Sequence, residues 1–154
     1  MSTVAPCPEG MRWVSPYLTV KDAEAAIAFY NKAFGFETRF VAPGPDGKPM
    51  HAELQHKDSV IMLGPECPQS AEHGFRSPSS IGGTSVTLYT YVEDVDALFE
   101  QAKAAGAKVI EAPKDQFWGD RTCLLVDPDG HAWMFATHVR DVSPEELKPP
   151  AECH

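Results

Sequence analysis

The chain has 154 residues, 43% of them hydrophobic, which is enough to bury one sizeable core and too little for two large ones. Its 22 acidic residues against 13 basic leave a net charge of −9. No Lys/Arg cluster is dense enough to compete for phosphates, so neither nucleic acid nor an anionic membrane is expected as a partner.

Residues 1–11 read as a flexible lead-in. The start, "MSTVAPCPEGMRWVSP", has prolines and a Glu where an export signal would have a basic end and an apolar run, and no segment approaches about 18 uninterrupted apolar residues. A cytoplasmic protein is expected. The first patterned stretch is "VSPYLTVKDAEAAIAFYNKAFGFET", an alternating strand ending at Val20, an Asp suited to capping at 22, and a helix running to Gly35. Ala23, Ile27, Tyr30 and Phe34 form its apolar stripe. Extended segments follow at about 36–42, 50–56 and 59–64, broken by "APGPDGKP", whose Gly, Asp and Pro suit turns. Residues 65–83, rich in Pro, Ser and Gly, read as a linker.

The pattern then repeats. "SVTLYTYVEDVDALFEQAKAAGAKV" has its strand ending at Val92, its capping Asp at 94 and its helix running to Gly106, with Val95, Leu98, Phe99 and Ala102 as the stripe. Extended segments follow at about 107–112, 121–126 and 131–138, the last two joined by "DPDG". The tail, 141–154, has few apolar residues and is expected to fray. An internal repeat dictates architecture: two βαβββ modules, about 12–64 and 84–140, within one α+β domain at 12–140. Cys7, Cys67, Cys123 and Cys153 show no CxxC spacing and are expected to be reduced thiols.

Paired modules carrying "VKDAEAAIAFYNKAFGF" and "DPDGHAWMFATH" resemble the vicinal oxygen chelate superfamily, which includes glyoxalase I, bleomycin-resistance proteins, fosfomycin-resistance enzymes and extradiol dioxygenases. "HAELQHKDSVIML" and "FWGDR" are similar to its PhnB-like branch. The resemblance implies two curved sheets forming an open, barrel-like cavity with the helices outside, and a homodimer. Metal-dependent members take ligands from the first and last strands of each module. The matching positions here are Ser15, Met62, Thr87 and Met134, two hydroxyls and two thioethers, which are poor ligands for a divalent ion. No metal or other cofactor is therefore expected, with His51 and Glu53, two residues apart on one strand face, as the alternative place for a divalent ion.

Strand alternation assigns the remaining faces. Leu18, Val20, Val86, Leu88, Val92, Leu54, Leu124 and Val126 should lie under the helices. Tyr17, Tyr89, Tyr91, His51, Glu53, Arg121 and Cys123 should then point into the cavity. His131, Trp133 and Phe135 fall on the helix side, and His138 should be solvated. Two functions follow from these positions. One is a small-molecule binding protein of the resistance or sequestration type, using Tyr17, Tyr89, Tyr91, Trp118 and Arg121 against a ligand between the modules, with the Arg121 guanidinium clamping an anionic or carbonyl oxygen of that ligand. The other is a lyase or isomerase acting beside a carbonyl through His51, Glu53 and Arg121.

Overall fold

The structure is a computed structural model that describes residues 4–148. The outer parts of the expected flexible lead-in and frayed tail, and Cys153, lie outside those residues. Two compact units divide the chain, Met1–Gly83 and Thr84–His154.

The first unit runs β1 (Tyr17–Val20), α1 (Ala23–Phe34), β2 (Glu37–Pro43), β3 (Pro49–His56) and β4 (Ser59–Pro65). The sheet order is β1-β4-β3-β2, with β1 parallel to β4 and the other pairs antiparallel. The helix begins where the sequence puts it. Asp22 has extended backbone and its carboxylate accepts from the Ala25 N–H at 3.0 Å, satisfying a donor that the first helical turn leaves free. The helix ends at Gly35, whose φ of 69° is left-handed. Tyr30, Phe34 and Phe36 are buried against one another, and Leu54 of β3 and Leu63 of β4 are fully buried in the same unit. Each such side chain contributes roughly 1.5–3 kcal/mol by leaving water.

The expected linker is not all loop. Within it Pro68–Glu72 forms α2 and Pro78–Ile81 forms α3. Both open with Pro at the start of the helix, where its missing N–H costs nothing and its fixed φ is already helical.

The second unit repeats the first: β5 (Thr87–Tyr91), α4 (Val95–Ala104), β6 (Lys108–Asp115), β7 (Asp120–Val126) and β8 (Ala132–His138). Its sheet order is β5-β8-β7-β6, with β5 parallel to β8. Asp94 caps α4 as Asp22 caps α1, accepting from the Ala97 N–H at 2.9 Å. Phe99, Ala102, Cys123, Leu125, Trp133 and Phe135 are buried on the helix side, with the rings of Trp133 and Phe135 stacked at 8°.

Face assignments agree with the sequence reading for β1, β5 and β8. Val86 differs: it precedes β5 and is exposed. So does the whole of β7. Cys123 pairs with Phe135 and Leu125 with Trp133, so the odd-numbered residues, Arg121 included, lie under α4, while Asp120, Thr122, Leu124 and Val126 take the open face. The expected inward position of Arg121 and Cys123 is therefore reversed. "DRTCLLV" has apolar residues in both alternations, and a strand partly buried on both faces leaves period two ambiguous.

Candidate functional site

The open face of the second unit's sheet is organised around one carboxylate. Gly119 turns the chain into β7 with a φ of 101°, and a Cβ there would run into the Arg140 carbonyl oxygen. Only glycine satisfies both conditions. The next residue, Asp120, is 2% exposed. Its Oδ2 accepts from the Tyr89 hydroxyl at 2.6 Å, the Tyr91 hydroxyl at 2.8 Å and Trp118 Nε1–H at 3.2 Å. Its Oδ1 lies 2.8 Å from His138 Nδ1. Strand pairing brings these together, since Asp120 stands opposite His138, and Tyr89 and Tyr91 opposite Met134 and Ala136 on the same β8 strand.

The carboxylate is consumed by these bonds. With its lone pairs taken by two phenols, an indole and an imidazole, it is poorly placed to bind a substrate or take its proton; it sets the position of the rings. Those rings remain open. Tyr89 is 42% exposed and Tyr91 56%, with centroids 5.5 Å apart, while Phe117 meets Trp118 edge to face at 5.1 Å. The result is an aromatic surface with fixed orientation.

Electrostatics follow from the same contacts. Burial pushes the Asp120 carboxyl upward, but the bonds from Tyr89, His138, Tyr91 and Trp118 outweigh it and leave the pKa below the ordinary value. Burial first, and then donation to Asp120, raises the Tyr89 phenol; for Tyr91 that donation is the larger cause. His138 is raised by Asp141 first and Asp120 second. Its Nε2 lies 2.9 Å from Asp141 Oδ1, and only the imidazolium donates from both ring nitrogens. The signs give opposite limbs. Asp120 contributes stability above its unfolded value of about 3.9, lost as pH falls through the lower folded pKa. His138 contributes below its unfolded value of about 6.5, lost as pH rises through the higher folded pKa. Melting temperature should therefore fall on the alkaline side in the native chain and stay flatter there in His138→Gln; equal alkaline limbs would show that His138 carries no folded charge.

Arg121 takes no part in this cluster. Its Nε and Nη2 donate to the two carboxylate oxygens of Asp96 on α4 at 2.7 and 2.9 Å, and its Nη1 to Asp115 at 3.1 Å. The sequence reading gave the residue to a ligand oxygen; its donors are instead directed at two carboxylates on the helix side.

In the first unit, Tyr17, His51 and Glu53 do come together. His51 Nδ1 lies 3.2 Å from the Tyr17 hydroxyl, and its Nε2 lies 3.7 Å from Glu53 Oε1. The rings of Tyr17 and His51 stack at 5.6 Å. Gly64 makes room for the phenol, since a Cβ there would meet the Tyr17 hydroxyl at 2.6 Å. Glu53 also faces Arg39 Nε at 3.6 Å. Arg39 in turn donates to the Gly10 carbonyl at 2.7 Å and the Glu9 carbonyl at 3.4 Å, tying residues 9 and 10, read as part of the flexible lead-in, to the sheet. Arg39, Glu53 and Met62, with residues 6–8 and 11–13, line a cavity of about 480 Å³.

The donors do not fit a divalent ion at the matched positions. Tyr17 and Tyr89, not Ser15 and Thr87, pair with Met62 and Met134. Those phenols are held in the neutral form, raised above the ordinary range by burial first, and thioethers suit soft metals. At His51 and Glu53 the remaining neighbours are a phenol and a guanidinium, and a guanidinium repels a cation. Among the described residues no three His, Cys, Asp or Glu side chains converge on a point that could hold a metal.

Sequence reading grouped Tyr89, Tyr91 and Trp118 and missed Asp120 and His138, which join them. The available signal was parity: with β7 in its true register, Asp120 shares a face with the tyrosines.

Residues 11–135 match the model of the Glyoxalase/Bleomycin resistance protein/Dioxygenase superfamily. The chain is 44% identical over 135 residues to Uncharacterized protein Mb0911c of Mycobacterium bovis, covering 88% of this chain and 89% of that one. It is 29% identical over 121 residues to Anthracycline biosynthesis protein DnrV of Streptomyces peucetius, covering 73% of this chain and 42% of that one. The structure of TioX from Micromonospora sp. ML1 is similar with a TM-score of 0.64 and 26% identity, over 82% of this chain and 99% of that one. The chain belongs to the glyoxalase/bleomycin resistance protein/dioxygenase superfamily.

Proposed function

We propose that this protein binds a flat aromatic small molecule without a metal, on the open face of its second unit, against Tyr89, Tyr91 and Trp118. The observation that carries this reading is the Asp120 hub, which fixes three half-open rings and has little capacity left for chemistry of its own. Rings held in place before the ligand arrives lose little freedom on binding. The partial likeness to DnrV, named for the biosynthesis of anthracyclines, a class of fused-ring aromatic molecules, supports the same ligand shape. We take the protein as a PhnB-like homodimer of the cytoplasm. β2 and β6 are outer strands with exposed Phe40, Val41, Val109 and Ile110, and such edges favour pairing with a second copy. No helix among the described residues is long and apolar enough to cross a membrane.

The test is a titration with acridone, a neutral three-ring probe, followed by protein fluorescence and calorimetry. Trp118→Ala should weaken binding by about 1–1.5 kcal/mol, up to roughly tenfold, the value of one aromatic pair. Arg121→Ala should leave affinity unchanged and lower the melting temperature only slightly, as the loss of a solvent-screened ion pair does. An affinity lost in Arg121→Ala and kept in Trp118→Ala would reverse the two faces of the site.

A second reading, proton transfer beside a carbonyl, draws on the placement of His51 between a phenol and a carboxylate, an arrangement suited to general acid–base work. Arg121, its intended oxyanion partner, is engaged by Asp96 and Asp115. Deuterium exchange from solvent into the α position of a bound ketone, abolished by His51→Ala, would favour this reading over the first.

A further inference from the structure

We propose that the aromatic surface of the second unit selects planar cations: fused-ring amines that are protonated at neutral pH. This rests on the binding reading above and goes beyond it by assigning the ligand's charge. It also reverses the sequence expectation of a ligand oxygen held by Arg121.

Three observations lead to it. First, the charge behind the rings is negative and buried. Asp120 is 2% exposed and receives Tyr89, Tyr91 and Trp118 on one oxygen. A group donating to a carboxylate is polarised by it. Electron density shifts into the phenol and indole rings, and their faces become more attractive to a cation. Second, the local cation does not cancel that charge. His138 stands between Asp120 and Asp141, so even the imidazolium leaves two carboxylates against one positive charge. Asp141 is fully exposed and adds its field at the surface. Third, of the two nearby guanidinium groups one is neutralised under the helix and the other, at the edge of the surface, has a carboxylate of its own, Glu146. Arg121 is held by Asp96 and Asp115 under the helix, and Arg140 reaches the Phe117 carbonyl at 3.5 Å. A flat cation stacked on one of the tyrosines, with the other ring standing at 60° beside it, gains ring contact and field together. A flat anion meets the same rings against a repelling charge.

The experiment titrates the full chain with three probes of similar shape: 9-aminoacridine as the cation, acridone as the neutral ring system and anthracene-9-carboxylate as the anion. Salt is held near 0.15 M so that distant charges are screened within about 8 Å. The cation should bind about tenfold more tightly than acridone, within the range of a desolvated cation–π contact, and the carboxylate should bind weakest. Because the whole chain carries −9, the preference must also be localised. Asp141→Asn should lower the ratio of cation to acridone affinity, whereas Glu100→Gln, the same loss of charge on α4, should leave that ratio as it is. Equal affinity for the three probes, preference for the carboxylate, or identical ratios in the two variants would overturn the assignment of charge while leaving the aromatic site standing. Failure of all three probes to saturate would overturn the binding reading as well.

Discussion

Asp120→Ala is expected to destabilise the second unit by about 3 kcal/mol and to weaken acridone binding by more than the loss of Trp118 does. The stability figure follows from the donors left behind. Four groups give hydrogen bonds to this carboxylate, and a bond to a charged acceptor contributes about 1.5–3 kcal/mol. The full sum does not apply, because the phenols and His138 are partly exposed and can turn to water once the acceptor is gone. The buried bonds nearest Asp120 set the scale. Affinity falls for a separate reason: without the hub, three rings regain rotamer freedom, and a ligand must order them again. Asp120→Asn separates the causes. The amide keeps one acceptor oxygen but presents an N–H₂ toward groups that are themselves donors, so it should fall between alanine and the native residue in both measurements. Urea denaturation followed by fluorescence, with an unchanged slope, gives the first number and acridone titration the second. A stability loss under about 0.5 kcal/mol, the range of a surface substitution, would show that Asp120 does not organise the face.

How much of this was legible in the sequence depends on how local each determinant is. Asp22 and Asp94 could be read as caps because a cap and the N–H it satisfies lie three residues apart. Burial on the helix side of β1 and β8 was legible because Leu18 and Val20 alternate with the less buried Tyr17 and Thr19, and Trp133 and Phe135 with the less buried Ala132 and Met134. In β7 the pattern carries two answers. Cys123 and Leu125 in one alternation, and Leu124 and Val126 in the other, are similar in apolar character, and pairing with β8 decides between them. That single step displaced Arg121 from the expected site and hid Asp120. The hub itself is non-local: Tyr89 and Asp120 are 31 residues apart, and His138 is a further 18 along the chain. The short helices α2 and α3 were missed for a different reason. Their Pro residues, read as marks of a linker, stand at N-terminal helical positions, where proline starts a helix as readily as it breaks one.

Trp133 supplies the largest expected loss of stability, and its position predicts that binding will not follow. The indole is 1% exposed and stacks on Phe135 at 6.0 Å. Its Nε1–H donates to Asp127 Oδ2 at 2.9 Å. The other oxygen of Asp127 accepts the backbone N–H groups of Asp129 and His131, each at 3.0 Å. Asp127 thus links the "DPDG" turn to the core, and Trp133 satisfies the carboxylate oxygen on the core side. Trp133→Ala should cost about 3–5 kcal/mol, the range for emptying a large aromatic site. That is a large share of the roughly 5–15 kcal/mol by which proteins of this kind are stable. Trp133→Phe keeps most of the volume and removes the bond to a charged acceptor, so about 1.5–3 kcal/mol is expected. The phenylalanine variant remains folded enough to titrate, and because residue 133 lies on the helix side of β8 while Met134 and Ala136 lie with the tyrosines, its acridone affinity should match the native value. A Trp133→Phe protein that lost stability and affinity together, as Asp120→Ala should, would mean that the two faces of β8 do not act independently and that the aromatic surface is set by the core beneath it instead of by Asp120.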